Sequence, residues 1–164
     1  MFEIGGLPAH ILLVHGVVVL APLAGVLSVV FALLRRSRQV LAWPLGVLAL
    51  VMVPLAVLTA EAGEQLQKAR PASALIKEHA EQGGFFRVVA VIFLVVAAAQ
   101  IVTALPSAVT RWSLLRRFQG GLDAWWLVPV TSVLGVLAGL FLIYESILTG
   151  HSGSASVWSG ISGA

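Results

Sequence analysis

Four histidines and three glutamates carry the chemistry in this sequence that could hold a cofactor: His10, His15, His79 and His151, with Glu61, Glu64 and Glu145. Imidazoles that are neutral near pH 7 ligate haem iron, copper or zinc. His10 and His15 stand five residues apart, about 140° around an ideal helix, so one regular helix does not aim both at one ion. A b-type haem would take one axial imidazole from the first apolar segment, by preference the deeper His15, and a second from another element, by preference His79. His10 then faces a propionate or supports a ligand, and Glu64 is a nearby supporting carboxylate. A small ion would draw instead on His79, on His10 or His15, and on a Glu; that set of nitrogen and oxygen donors suits zinc or copper. A plainer reading competes with these, in which histidines at helix ends are only hydrated and a Glu/Lys loop is an ordinary solvated face.

The elements that position these residues are membrane spans. Of the 164 residues 59% are apolar and 10% charged, with a mean hydropathy of +1.01, where soluble domains carry about a quarter charged. A span needs about 20 apolar residues, so four spans fill the chain and make a single helical domain over residues 1–150, followed by a Ser/Gly-rich tail, 151–164, expected to lack fixed structure. The absence of cysteine excludes disulfides, iron–sulfur clusters, zinc–thiolate sites and covalent haem attachment.

The first apolar run covers about 7–34 and ends at Arg35, Arg36 and Arg38. Its basic residues follow the run, the reverse of a cleavable signal peptide, which predicts an uncleaved anchor. The second run, about 40–60, holds Pro44 and Pro54, the latter expected to kink it. The third, about 85–109, has Arg87 at its mouth and is followed by Arg111, Arg116 and Arg117; the fourth, about 125–148, opens on Trp125 and Trp126. The loop 61–84 is charged, and two short helices are expected in it, hinged at Pro71, ended by Gly83-Gly84 and braced by a Glu64–Lys68 pair. The loops after the first and third runs hold six of the ten Lys and Arg residues, and the other four are Lys68, Arg70, Lys77 and Arg87. By the positive-inside rule both termini and the 61–84 loop lie outside the cytoplasm. All four histidines then fall at the outer end of an all-α, integral membrane four-helix bundle.

Other residues read as structural. Gly135 and Gly139 form a GxxxG for close helix packing, Gln100 an interhelical hydrogen bond, and the Arg clusters orientation signals in contact with anionic lipid. Glu145 beside Tyr144 could take a proton near a quinone head group, or simply face water. No GxSxG, HExxH or phosphate-binding glycine loop occurs, and the single Asp, Asp123, lies at the opposite end from the histidines, so no enzyme is expected. The basic residues cluster at span ends, which excludes a nucleic-acid partner in favour of the lipid bilayer.

The segments LPAHILLVHG, EAGEQL and IKEHAEQGG resemble a bacterial four-span membrane family catalogued as domain of unknown function 2231. That family has a His-Pro and a Val-His-Phe-Pro at its start, a Gly-Glu after its second span and a Glu-His-Glu before its third. His10, His15, Gly63-Glu64 and Glu78-His79 occupy the matching places. The chain departs in lacking a proline after His10, in Gly16-Val17 where the family has Phe-Pro, and in Ala80 between His79 and Glu81. Some relatives are joined to c-type cytochrome domains, so the resemblance implies redox work at the outer face of a bacterial cytoplasmic membrane, with a cytochrome or membrane redox complex as partner. The expected function is thus binding of haem b, or of copper or zinc, for electron transfer; the alternative is an accessory subunit of a larger membrane complex with no cofactor.

Overall fold

The structure is a computed structural model, and it describes residues 3–71, 73–105 and 124–158. The arginines Arg111, Arg116 and Arg117 and the lone Asp123 lie outside the described residues. A two-residue hairpin opens the chain, β1 (Glu3–Ile4) paired with β2 (Leu7–Pro8). Gly5 and Gly6 turn it with φ of 61° and 79°, the pair of positive angles that a tight hairpin with the right strand twist demands. Four helices follow: α1 (Ala9–Leu33), α2 (Arg38–Lys68), α3 (Ala74–Ala104) and α4 (Leu127–Trp158). All four are long and apolar enough to cross a membrane. They form an all-α four-helix bundle in which α1 packs on α2 and α4, and α3 on α2 and α4. This is an integral membrane protein.

Each helix buries a stripe with a seven-residue period. In α1 the stripe runs through His10, Val17, Ala24 and Phe31, in α2 through Arg38, Leu45, Met52 and Thr59, and in α3 through His79, Phe86, Phe93 and Gln100; apart from the half-buried His10 and His79, all are buried. A strict seven-residue repeat holds one seam against its neighbours by a slight left-handed supercoil. Small residues fill the companion positions, Ala21 and Ser28 in α1, Ala49 and Ala56 in α2. Lipid tails are as apolar as leucine, so helices in a bilayer associate by close packing and hydrogen bonds between them.

The closest approach is between α1 and α4. A Cβ placed on Gly25 would lie 2.5 Å from the Gly139 carbonyl oxygen, and one on Gly139 2.6 Å from that of Gly25. Beside this crossing Ser28 Oγ is 2.8 Å from Gln100 Oε1 and 2.9 Å from the Gly135 carbonyl, so one hydroxyl links α1, α3 and α4. Gln100 lies directly over Gly135, and Thr103 and Thr131 join hydroxyls at 2.8 Å one turn away. The GxxxG of α4 is thus spent on packing within the bundle. Arg38 also has a structural role, since its guanidinium donates to the carbonyls of Phe31 (3.0 Å) and Ala32 (2.8 Å) and caps the end of α1. Trp43 and Trp125, both largely exposed, ring this arginine end.

The structure corrects three local expectations. The two short loop helices are instead extensions of the spans: α2 runs unbroken through Pro54 to Lys68, and Gly83-Gly84 sit inside α3. Only the break around Pro71 remains as a turn. Glu64 pairs across to Arg87 of α3 at 3.4 Å, not along its own helix to Lys68. Finally, the Ser/Gly-rich stretch after Gly150 continues α4 to Trp158, where Ser152, Ser154 and Ser156 bond back to carbonyls three residues earlier. Contact with a neighbouring helix offsets the weak helix propensity of Gly and Ser.

The glycines of the crossing and of the histidine end respond differently to a methyl group. Gly139→Ala forces backbones apart and is expected to cost about 1–3 kcal/mol in reversible unfolding from mixed micelles. Gly83→Ala, with nothing within 4 Å, is expected to be neutral or to stabilise by up to about 1 kcal/mol.

Candidate functional site

At the end of the bundle that carries the histidines, two imidazoles meet. His10 lies in the first turn of α1 and His79 in the second turn of α3. Their ring centroids are 5.9 Å apart with planes at 72°. Each ring rests on a glycine of a third helix: a Cβ on Gly63 of α2 would come within 2.9 Å of His10 Nδ1, and one on Gly153 of α4 within 3.0 Å of His79 Cε1. No other residue leaves room for the rings in those two places.

Hydrogen bonds determine how the imidazoles present their nitrogens. His10 Nδ1 is 2.8 Å from the Thr59 carbonyl oxygen, which only accepts, so Nδ1 carries the proton. His79 Nδ1 is 3.1 Å from Ser152 Oγ. That hydroxyl already donates to the Thr149 carbonyl at 3.0 Å, so it accepts from His79 Nδ1–H. In the neutral form of either ring the proton therefore sits on Nδ1 and the lone pair on Nε2. Metal-bound histidines show this same arrangement, with one nitrogen held by a carbonyl or hydroxyl and the other free to ligate.

The pair borders an open cavity of about 400 Å³ lined by residues of all four helices. Val17, Ala56 and Phe86 line its apolar depth, and Glu64, Gln67 and Arg70 line its polar rim. Thr149 also lines it; its Oγ1 is buried and has no hydrogen-bond partner. The 31 residues of α3 extend about 46 Å, against about 30 Å of hydrocarbon. His79, flanked by Lys77, Glu78 and Glu81, thus stands beyond the apolar segment that begins at Phe85. Desolvation, with a smaller contribution from the facing His10, holds its pKa below the ordinary imidazole range. His79 is consequently neutral near pH 7, the form that ligates.

The remaining candidates separate from this site. His15 is exposed on α1, its Nδ1 bonded to the Ile11 carbonyl of its own helix, and it does not line the cavity. Glu64 does line it, through its ion pair with Arg87. Glu61 and His151 are exposed; His151 borders a smaller hollow with Glu78 and Gln82. Glu145 is buried on α4. Among the described residues no three His, Asp or Glu side chains converge on one point. Thr59, Thr149, Ser152 and Gly153 complete the site and were not singled out from sequence, and Gly63 entered there only beside Glu64. Their signal is the heptad phase they share with the buried faces of α2 and α4.

The proton placement is directly measurable. Nitrogen-15 spectra of the imidazoles are expected to show His10 and His79 as Nδ1–H tautomers, and Ser152→Ala to return His79 alone to a tautomeric mixture. Gly63→Leu and Gly153→Leu are expected to displace one ring each without unfolding the bundle, read as altered histidine shifts at unchanged helical circular dichroism. Compared with protein-family models, with curated proteins and with solved structures, the chain finds no match in any of the three.

Proposed function

We propose that this chain is a membrane electron-transfer protein that binds a b-type haem through His10 and His79 at the outer face of a bacterial cytoplasmic membrane. The observation that carries this reading is the pair of imidazoles with both Nδ1–H groups committed and both Nε2 lone pairs free, at the mouth of an apolar cavity. Two protein ligands are a full set only for a cofactor that brings its own equatorial donors, as haem does; zinc or copper would require a third or fourth donor, and none converges here among the described residues. The apolar depth suits a macrocycle, and Arg70 and Gln67 at the rim suit its carboxylates. Haem, when bound, supplies one-electron chemistry.

The protein's part is orientation and tuning. Thr59 and Ser152 hold the rings, and their hydrogen bonds make each Nε2 a stronger donor. Glu64, half-exposed and paired with Arg87, adds negative charge beside the cavity that favours an oxidised, more positive centre. The likeness of EAGEQL and IKEHAEQGG to the domain of unknown function 2231 family supports a redox role. The distribution of Lys and Arg along the sequence, six of ten following the first and third apolar runs, supports the outer placement. In this reading His10 takes the place that depth alone would assign to His15, because His15 is on the wrong face of α1.

The test is a reduced-minus-oxidised visible spectrum and total metal content on protein purified in mild detergent from haem-sufficient cells. A sharp reduced α-band with near-stoichiometric iron is expected, lost in His10→Ala and in His79→Ala and retained in His15→Ala. A flat spectrum with stoichiometric zinc or copper would move the site to a small ion, and a flat, metal-free sample would favour an accessory subunit.

A further inference from the structure

At the histidine end three of the four seams between helices are bridged by a polar contact. His10 bonds the Thr59 carbonyl from α1 to α2, Glu64 pairs with Arg87 from α2 to α3, and His79 meets Ser152 from α3 to α4. The fourth seam, between α1 and α4, is apolar and open. Val18 and Ile11 stand seven and fourteen residues before Gly25, on the stripe of α1 that is pressed against α4 at the crossing. Toward the histidines that stripe is no longer covered, and Val18 is 47% and Ile11 39% exposed. On α4 the facing stripe passes through Gly150, where a built Cβ would still be 4.0 Å from the nearest atom, a Val18 methyl, and through Val157, which is 61% exposed.

This seam is also a wall of the cavity. The lining residues that are exposed are Ile11, Val18, Ser154 and Val157 along the seam, and Glu64 and Arg70 at the polar rim; α3 contributes none. Counted back from Arg35, a span of about 20 residues reaches His15. Val18, with Gly150 beside it, is therefore among the acyl chains, and Ile11 is at the level of the head groups. The slot crosses that boundary, apolar where it meets lipid and polar where it meets water. Arg70 has no ion-pair partner among the described residues, and its guanidinium suits a carboxylate.

We propose that the α1–α4 seam is a lateral portal through which the cavity takes a carboxylated amphiphile from the adjoining leaflet, its carboxylate at Arg70 and its apolar body along Val17, Ala56 and Phe86. Haem, in the reading above, belongs to this class, but the portal does not depend on it. The probe is a palmitic acid carrying a diazirine in its chain, presented in lipid nanodiscs to the full chain made in haem-starved cells. Irradiation is expected to give adducts on Val17, Ala56 and Phe86, which are buried and line the cavity. Excess oleic acid is expected to suppress them and methyl oleate to leave them, and Arg70→Gln to lower their yield several-fold. The chain has no cysteine, so Val18→Cys with Gly150→Cys is a unique pair that a bis-methanethiosulfonate cross-linker ties together. The tied seam is expected to slow the appearance of the interior adducts several-fold, and reductant to restore the rate. Absence of interior adducts in the wild type overturns the amphiphile. A rate unchanged by tying means entry from water and overturns the portal, and adducts indifferent to Arg70→Gln overturn the anionic head. A failed haem spectrum leaves these outcomes as they are, and absent adducts leave the haem test standing.

Discussion

The contact on which the bundle depends is the crossing of two backbones at Gly25 and Gly139, so close that neither position has space for a methyl group. In water such a contact would be one of many, but in lipid, burial of apolar surface gives little preference for protein over acyl chain, and packing with interhelical hydrogen bonds must hold the helices together. The crossing brings Ser28, Gln100 and Gly135 within hydrogen-bond distance of each other. Each such bond contributes about 0.6–1.7 kcal/mol in a bilayer, and it also fixes the rotation of α1 and α3 against α4. Rotation matters more than strength here. A turn of α1 by one residue would carry His10 out of the interior and His15 toward it.

Away from the crossing the helices separate. At Gly150 the nearest atom of α1 to a built Cβ is a Val18 methyl at 4.0 Å, where at Gly139 it is backbone at 2.6 Å. The cavity therefore opens toward the histidine end because α1 and α4 are pinned near their middles. Helix length adds to this. The 31 and 32 residues of α2, α3 and α4 exceed the hydrocarbon by about ten residues each, and the excess emerges at the same end, where Glu64, Arg70, Lys77 and His79 can meet water while the depth of the cavity remains apolar.

The four helices, their ends near the arginine clusters and the convergence of charged residues at one end were all legible in composition and run length, because a bilayer imposes them through hydropathy. The pairing of histidines was legible too, but by phase and not by depth. His10 stands seven residues before Val17 and fourteen before Ala24, on the stripe of small residues that marks the seam; His15 is deeper and off that stripe. Depth measures the cost of an imidazole in lipid, whereas phase decides which partner it meets, and phase is the stronger constraint in a bundle with so tight a crossing. The continuation of α2, α3 and α4 beyond the membrane was hidden for a different reason. The charged stretch from Glu61 reads as loop, and Gly83-Gly84 and Gly150 are local breakers, whose effect was overridden by neighbours that are contiguous only in three dimensions.

The distribution of unfavourable features then separates packing from function. Gly25 and Gly139 recover the roughly 1 kcal/mol that each glycine costs in a helix through the contact they permit. Gly63 and Gly153 allow no backbone contact; they make space for imidazole rings. Gly83, on the cavity wall, touches nothing within 4 Å, and Thr149 leaves a hydroxyl unbonded beside it; an unsatisfied buried hydroxyl costs about 1–3 kcal/mol. Alanine and leucine at these positions would make a more stable bundle with a filled end. Stability is forgone at one end only, around one pair of oriented histidines, and a protein that departs from its own packing rules in one place does so where it binds something.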